Sequence, residues 1–226
     1  MAAMRFEAIL FDCDGVLVDS EPITHRVLVQ MLGERGWQIT QEECMRIFIG
    51  KAVKDEAALI EQRTGQPVTA EWLQSFWGRR NAALERDLLP IAGALQAVPA
   101  LHEATGGRIA CASGADRGKV EMQLRKVGLY PLFEGRIFSG HEMPRSKPFP
   151  DVYLAAAEAL GVDPRRCAVV EDTVTGVTAG AAAGATVFGY SPGGPGHSPA
   201  EALRAAGAVH VFEDMAALPA LLSFWD

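Results

Sequence analysis

Cysteines are few in this sequence, and they show no motif spacing. Four occur among the 226 residues, at Cys13, Cys44, Cys111 and Cys167. Their spacing matches neither a metal-binding motif nor a disulfide framework, which excludes a zinc-stabilised or disulfide-stapled domain. We therefore interpret all four as small buried thiols in a reducing compartment, and we expect a cytoplasmic protein.

Clustered basic residues and long apolar runs are also missing. Lys and Arg number 21 against 28 Asp and Glu, which gives a net charge of −7, and no basic run occurs. We therefore exclude a nucleic-acid partner. The apolar runs are too short to cross a bilayer, and Met1–Glu7 contains no signal-peptide stretch, so we expect no membrane association. No pattern indicates an obligate protein partner.

Short apolar runs alternate with longer helical patterns along most of the chain. This alternation predicts an α/β fold in which helices cover a mainly parallel sheet. The predicted strands are Phe6–Phe11, Arg108–Ala112, Ile137–Gly140, Cys167–Glu171, Thr186–Tyr190 and His210–Phe212. The predicted helices are Gly93–Ala104, Asp116–Val127, Pro150–Leu160, Thr173–Ala183, Pro199–Ala206 and Asp214–Leu222.

Residues 19–89 depart from this alternation, because they show only helical periodicity. The predicted helices there are Glu21–Glu34, Gln41–Phe48, Val53–Arg63 and Thr69–Arg86. Three of the four tryptophans lie in this segment and predict a small core of its own: Trp37, Trp72 and Trp77. We therefore predict an all-α insertion at 19–89 within an α/β core formed by 1–18 and 90–226.

Two carboxylates follow the first predicted strand directly, at Asp12 and Asp14. Residues two apart on extended backbone point the same way, so the strand delivers both acids to one place. Their repulsion there requires a cation or a shared proton. The alternative is that one acid caps a helix while the other is solvated.

The next two strand ends supply groups that bind anions. Ser113-Gly114 lies just before a predicted helix, where a hydroxyl and free amides form an anion seat, although plain helix capping is the commoner use of such a turn. Lys147 precedes Pro148, which favours an extended lysine aimed in one direction. A lone loop lysine is more often a solvated surface charge, so Lys147 gains weight only from its neighbours.

A second acidic pair, Glu171 and Asp172, ends the fourth strand. Two acids at a strand end suit a hard cation, although Asp172 could instead cap the helix that follows. Ligands of open parallel sheets bind at the carboxyl ends of the strands. We therefore expect all four groups of residues to converge on one site.

Four segments resemble the signature motifs of the haloacid dehalogenase-like hydrolase superfamily: Asp12–Glu21 (DCDGVLVDSE), Ser113, Lys147-Pro148 and Val170–Asp172. The similarity is greatest to its phosphatase and β-phosphoglucomutase branch, which carries a helical cap after the first strand. The resemblance implies a Rossmann-like parallel sheet core with an inserted all-α cap domain that closes as a lid, with hinges near Val18–Glu21 and Leu88–Ile91.

The resemblance also implies a role for each motif residue. Asp12 would form an aspartyl-phosphate, and Asp14 would protonate the leaving alcohol and then deprotonate water. Ser113, Gly114 and Lys147 would hold the phosphoryl oxygens. Mg²⁺ would bind Asp12, the main-chain carbonyl of Asp14 and Asp172, with Glu171 beside it. The implied activity is a magnesium-dependent phosphatase acting on a small phosphorylated metabolite, a sugar or sugar-acid phosphate.

Three other activities stay open. A 2-haloacid dehalogenase needs neither the metal nor the second acid, and a non-enzymatic phosphoacceptor domain needs no seventy-residue helical insertion. A phosphomutase would need a histidine and an arginine of the β-phosphoglucomutase pattern, whose positions hold Thr24 and Val53 here, with His25 and Lys54 one residue further on. Hydrolysis is therefore favoured over isomerisation.

Substrate specificity should depend on basic side chains of the insertion that face the core. The candidates are Lys51, Lys54 and Arg80, of which Arg80-Asn81 stands where the mutase pattern has a lysine followed by asparagine. Each is also consistent with an ordinary solvated charge.

Overall fold

The computed structural model describes residues 5–48, 51–194 and 196–225. The predicted core and insertion ranges also include a few residues that lie outside the described ones: 1–4, 49–50, 195 and 226. The start of the Met1–Glu7 segment is among them. Six parallel strands form one sheet in the order β3-β2-β1-β4-β5-β6. They are β1 Ala8–Phe11, β2 Ile109–Ser113, β3 Ile137–Ser139, β4 Cys167–Glu171, β5 Thr186–Tyr190 and β6 His210–Phe212. The predicted α/β sheet is confirmed, with strand ends within two residues.

Helices cover both faces of the sheet, because the buried strands are apolar on both sides. In β1, Ile9 and Phe11 pack into one hydrophobic cluster, whereas Ala8 and Leu10 pack into the other. The helices are α1 Glu21–Gly33, α2 Gln41–Phe48, α3 Ala57–Thr64, α4 Ala70–Asp87, α5 Ala94–Ala104, α6 Arg117–Lys126, α7 Tyr130–Phe133, α8 Asp151–Ala159, α9 Val174–Ala182, α10 Ala200–Ala206 and α11 Leu218–Ser223. Among the described residues, 3₁₀ turns lie between them at Val53–Glu56, Gly140–Glu142, Pro164–Arg166 and Met215–Ala217.

The register of the sheet brings the carboxyl ends of three strands to one level. Phe11 of β1 lies opposite Cys111 of β2 and Val170 of β4. The residues at and just after these strand ends, including the two acidic pairs, therefore meet at one edge of the sheet. No helix within the described ranges is both long and apolar enough to cross a membrane.

Helices α1 to α4 follow β1, and α1 packs against both α2 and α4. No strand interrupts the described part of this segment, as its periodicity predicted. Buried residues of this segment such as Leu28 and Leu84 belong to the same hydrophobic cluster as Phe11 of the sheet, so the apolar contacts of the two parts are continuous. Trp77 is also 40% exposed rather than a core residue.

The two connections between the helical segment and the sheet run side by side. Val18 forms an antiparallel bridge with Pro90. The Asp19 amide donates to the Leu89 carbonyl at 3.0 Å, and the Ile91 amide donates to the Leu17 carbonyl at 3.1 Å. The helical segment thus joins the sheet through a paired, hydrogen-bonded connection.

Candidate active site

Three carboxylates converge where β1 and β4 end. Asp12, Glu171 and Asp172 are all buried, and one oxygen of each lies within 4.8 Å of the others. The proximity follows from sheet register, because Phe11 and Val170 are paired neighbours in adjacent strands. The expectation that the two acidic motifs meet is therefore met.

Lys147 reaches this acidic cluster from the loop after β3. Its Nζ lies 2.6 Å from Asp12 Oδ1 and 2.6 Å from Glu171 Oε1, and its peptide bond to Pro148 is cis. Burial alone would lower the pKa of the Lys147 ammonium, but the charges of Asp12 and Glu171 outweigh burial and raise it well above its usual range. The Lys147 ammonium is therefore charged and held between two carboxylates rather than solvated at the surface.

The carboxylates outnumber the cation beside them. Burial raises the pKa of Asp12 to about 7, with repulsion from Glu171 and Asp14 adding to it and Lys147 opposing it. Burial, and then the charges of Glu171 and Asp12, raise the pKa of Asp172 well above its usual range. Asp172 Oδ1 is buried and has no hydrogen-bond partner among the described residues. An unpartnered oxygen in a crowded set of carboxylates fits a hard divalent cation such as Mg²⁺.

Glu171 differs from the other two acids, because protein donors occupy both its oxygens. Oε1 accepts from Lys147 and from the Tyr153 hydroxyl at 2.8 Å. Oε2 accepts from the amides of Asp172 and Thr173 and from the Thr173 hydroxyl, at 3.0 to 3.1 Å. Glu171 therefore serves to orient Lys147 and the turn after β4, and it has little capacity left for a metal.

Asp14 belongs to a separate network on the α6 side of the site. Its carboxylate accepts from the Ser20 hydroxyl at 2.5 Å, from Lys119 Nζ at 2.8 Å to each oxygen, and from Gln123 Nε2 at 2.8 Å. Burial would raise the pKa of Asp14, but the charge and hydrogen bonds of Lys119, together with the hydrogen bonds of Ser20 and Gln123, lower it to about 2. Asp14 is thus held as a carboxylate. The turn that places it depends on Gly15, whose φ of +78° favours glycine.

Ser113 and Gly114 form the turn between β2 and α6. Ser113 is buried, and its Oγ accepts the Ala115 amide at 3.1 Å. Asp116 caps α6, because its side chain accepts the Lys119 amide at 2.9 Å. Because α6 follows β2 directly, it begins at the same edge of the sheet as the acids, and Lys119 of its first turn contacts Asp14.

The three basic candidates of the helical segment differ in position. Arg80 has a side chain only 11% exposed, and it lies 3.9 Å from Asp116 across the boundary with the sheet. Burial lowers the pKa of Arg80, against the opposing charges of Asp14, Asp116 and Glu21. Lys51 is half exposed and pairs with Glu56 at 3.2 Å, and Lys54 is exposed. Arg80 is therefore the candidate whose side chain reaches the start of α6, at Asp116.

Lys119, Gln123 and Tyr153 contact the candidate residues, although the sequence pattern did not point to them. One signal was available for Lys119. It stands three residues after the acidic cap Asp116, so it falls in the first turn of a helix that starts at the carboxyl ends of the strands.

Comparisons with known proteins agree with this geometry. Residues 6–184 match the sequence pattern of the haloacid dehalogenase-like hydrolases. The chain is 31% identical over 185 residues to the 6-phosphogluconate phosphatase of Escherichia coli K12. This alignment covers 81% of the chain and 82% of that protein. It is 33% identical over 180 residues to hexitol phosphatase B of the same organism, covering 78% of the chain and 79% of that protein.

A solved structure is similar over nearly the whole length. It is a HAD family hydrolase from Deinococcus radiodurans R1 with bound phosphate and sodium, 38% identical, with a TM-score of 0.82. The superposition covers 97% of this chain and 96% of that one.

Proposed function

Because the chain belongs to the haloacid dehalogenase-like hydrolase family, we propose that it is a phosphatase acting on a small phosphorylated sugar, sugar alcohol or sugar acid. Its similarity to a 6-phosphogluconate phosphatase and to a hexitol phosphatase supports this substrate class. The observation that carries the proposal is that Asp12 and Asp14, only two residues apart in sequence, have different hydrogen-bond partners. Asp12 lies among the acids and Lys147, whereas Asp14 is held apart by Lys119. The two residues are therefore equipped for different roles.

Asp12 is the proposed nucleophile. One of its oxygens is held by Lys147 at 2.6 Å, which leaves the other oxygen to attack phosphorus and form an aspartyl-phosphate. Lys147 then lies where it stabilises negative charge on the transferring phosphoryl group, together with the Ser113 hydroxyl and the Gly114 amide. These groups need no rearrangement of the sheet, because Asp12, Ser113 and Gly114 lie at the ends of strands and Lys147 already contacts Asp12.

Asp14 is the proposed acid and base. Without substrate it is ionised, which suits removal of a proton from the attacking water. A phosphate dianion beside it favours the protonated form, because like charges disfavour ionisation. In that form Asp14 would protonate the leaving alcohol.

The proposed metal ligands are Asp12, Asp172 and the main-chain carbonyl of Asp14. Bound Mg²⁺ would neutralise the acids and the phosphate oxygens, which lets an anionic nucleophile approach an anionic substrate. Asp172 offers the unpartnered oxygen, whereas Glu171 would support Lys147 from outside the metal's coordination sphere. A dehalogenase would have no use for Asp172 in this position.

Helices α1 to α4 form the proposed cap domain over residues 19–89, on a core of 1–18 and 90–226. The paired connection at Val18 and Pro90 would act as its hinge. Closure would exclude bulk water and bring Arg80 over the leaving group. The capped arrangement also distinguishes the chain from a bare phosphoacceptor domain.

A substrate screen tests the proposed function. Purified protein is incubated with Mg²⁺ and 6-phosphogluconate, hexitol phosphates, hexose phosphates or p-nitrophenyl phosphate, and released phosphate is ranked by kcat/KM. We expect hydrolysis of at least one metabolite with a kcat/KM of about 10⁴ M⁻¹s⁻¹ or more, and none in excess EDTA. Absence of phosphate release from every substrate, or full activity in EDTA, would contradict the proposal.

Hydrolysis rather than isomerisation is proposed because the mutase positions are changed. His25 is buried, and its Nδ1 contacts the Glu21 carbonyl at 2.8 Å within α1. Incubation with β-glucose 1-phosphate and a trace of the 1,6-bisphosphate distinguishes the two activities. Free phosphate should exceed glucose 6-phosphate, and the reverse would indicate a mutase.

A further inference from the structure

Lys119 is a buried lysine directed at a carboxylate. It lies in the first turn of α6, is 7% exposed, and places Nζ 2.8 Å from both oxygens of Asp14. Burial of a lysine is costly unless it is paired and hydrogen-bonded. A leucine or methionine would fill a helix–sheet contact without that cost, so packing alone does not explain a lysine here.

The donors around Asp14 are distributed unevenly between its two oxygens. Oδ1 accepts from Ser20, Lys119 and Gln123, whereas Oδ2 accepts only from Lys119 among the described residues. A carboxylate oxygen has about two acceptor positions. The network therefore anchors Oδ1 and leaves Oδ2 with a position for one further partner.

We propose that Lys119, assisted by Gln123, positions Asp14 for proton transfer to the leaving group, an inference that rests on the proposed phosphatase activity. As Asp12 bonds to phosphorus and the bond to the leaving oxygen breaks, the proton on Asp14 Oδ2 passes to that oxygen and an alcohol departs. Lys119 donates hydrogen bonds to the carboxylate left behind and so holds it in place. In the second step water bonds to phosphorus, the Asp12–phosphorus bond breaks, and Asp14 takes back a proton.

The consequence is a dependence on leaving-group acidity. A poor leaving group needs the proton, whereas an acidic phenol departs without it. Phenyl phosphate and p-nitrophenyl phosphate present the same phosphate and the same ring, but the nitro group makes the second phenol much more acidic. Loss of the positioning lysine should therefore harm phenyl phosphate far more, whereas loss of fold or of phosphate binding should harm both equally.

The experiment compares kcat/KM for the two aryl phosphates in the wild type, Lys119→Met and Lys119→Arg. For Lys119→Met we expect a fall of about 100-fold on phenyl phosphate and less than about tenfold on p-nitrophenyl phosphate, mostly in kcat. Lys119→Arg keeps the charge and should recover part of the loss on phenyl phosphate. Lys126→Met is the matched control, since it removes an exposed lysine of the same helix, and should leave the ratio unchanged.

Gln123→Met provides a second variant if Lys119→Met does not fold, as judged by circular dichroism. It removes one hydrogen bond to Asp14 and should shift the ratio in the same direction by about threefold or more. Equal losses on both substrates in a folded variant would overturn the role of Lys119. A wild type that hydrolyses neither substrate nor any metabolite would instead refute the proposed phosphatase activity.

Discussion

At the scale of single residues, the two acids at the end of β4, Glu171 and Asp172, differ in how their oxygens are hydrogen-bonded. Asp172 Oδ1 has no partner among the described residues, whereas Glu171 accepts five hydrogen bonds. Asp172→Asn should therefore raise the Mg²⁺ concentration for half-maximal activity by more than about tenfold. A magnesium titration of phosphate release measures this. Asp163→Asn, at an exposed acid, should not change it, and an unaltered titration for Asp172→Asn would exclude Asp172 as a ligand.

The nucleophile is tested by an isosteric change. Asp12→Asn keeps the size of the side chain but removes the anionic oxygen, so the turnover number should fall at least about a thousandfold while the fold persists. Steady-state kinetics with circular dichroism as the control for folding measure it. More than about a tenth of wild-type turnover in the folded variant would rule out Asp12.

Arg80 should distinguish substrates by their leaving groups. It is nearly buried and lies 3.9 Å from Asp116, whereas Lys51 and Lys54 are exposed. Arg80→Met should lower kcat/KM for the best metabolite by about tenfold or more, and less for p-nitrophenyl phosphate. Lys51→Met and Lys54→Met should change neither. The same loss on both substrates would show that Arg80 does not contact the leaving group.

The meeting of the motif residues could be predicted because strand ends fix them. An apolar strand followed by an acid specifies where that acid lies, as for Asp12 and Glu171. Lys119 and Gln123 escaped prediction, because the direction of a helical side chain depends on how the helix packs against the sheet. For the same reason the sequence did not distinguish Lys51 from Arg80. Only the packing of the helices shows that the lysine is exposed and that the arginine is nearly buried.

At the scale of elements, α9 approaches the turn after β4 more closely than a side chain would permit. A Cβ on Gly176 would overlap the Glu171 carboxylate, whereas one on Gly78 of α4 would meet nothing within 4 Å. Gly176→Ala should therefore destabilise the fold by about 1–3 kcal/mol, as overpacking does. Gly78→Ala should stabilise it by about 0.5–1 kcal/mol. Urea unfolding measures both, and a neutral Gly176→Ala would show that α9 shifts freely.

The positions of the six strands could be predicted, because short apolar runs bounded by turns identify buried parallel strands. The positions of short helical turns could not be predicted from the sequence. Tyr130–Phe133 and Gly140–Glu142 are too brief to show a periodicity. The predicted helix Val53–Arg63 begins as a 3₁₀ turn and becomes α-helical at Ala57, a change that hydrophobic spacing does not encode.

At the scale of the whole molecule, the helical segment and the sheet share one hydrophobic cluster. We expect them to unfold together rather than in two steps. Trp225→Phe leaves three tryptophans, all in the helical segment, so fluorescence then follows that segment while far-UV circular dichroism follows the whole chain. The two urea transitions should coincide. An earlier fluorescence transition would show that the segment is independently unstable.

The central place of β1 in the sheet has a consequence during synthesis. β1 is made before both of its neighbours in the sheet, which are β2, beginning at Ile109, and β4, beginning at Cys167. At about 5–20 residues per second, the ribosome needs roughly 8 to 30 s to make the chain between β1 and β4. Until then β1 has an unpaired edge, and Asp12 has neither Glu171 nor Asp172 beside it. The acidic cluster therefore forms only once β4 has been made, so Asp12 gains Glu171 and Asp172 at the same stage at which the apolar strand β1 gains its second neighbour.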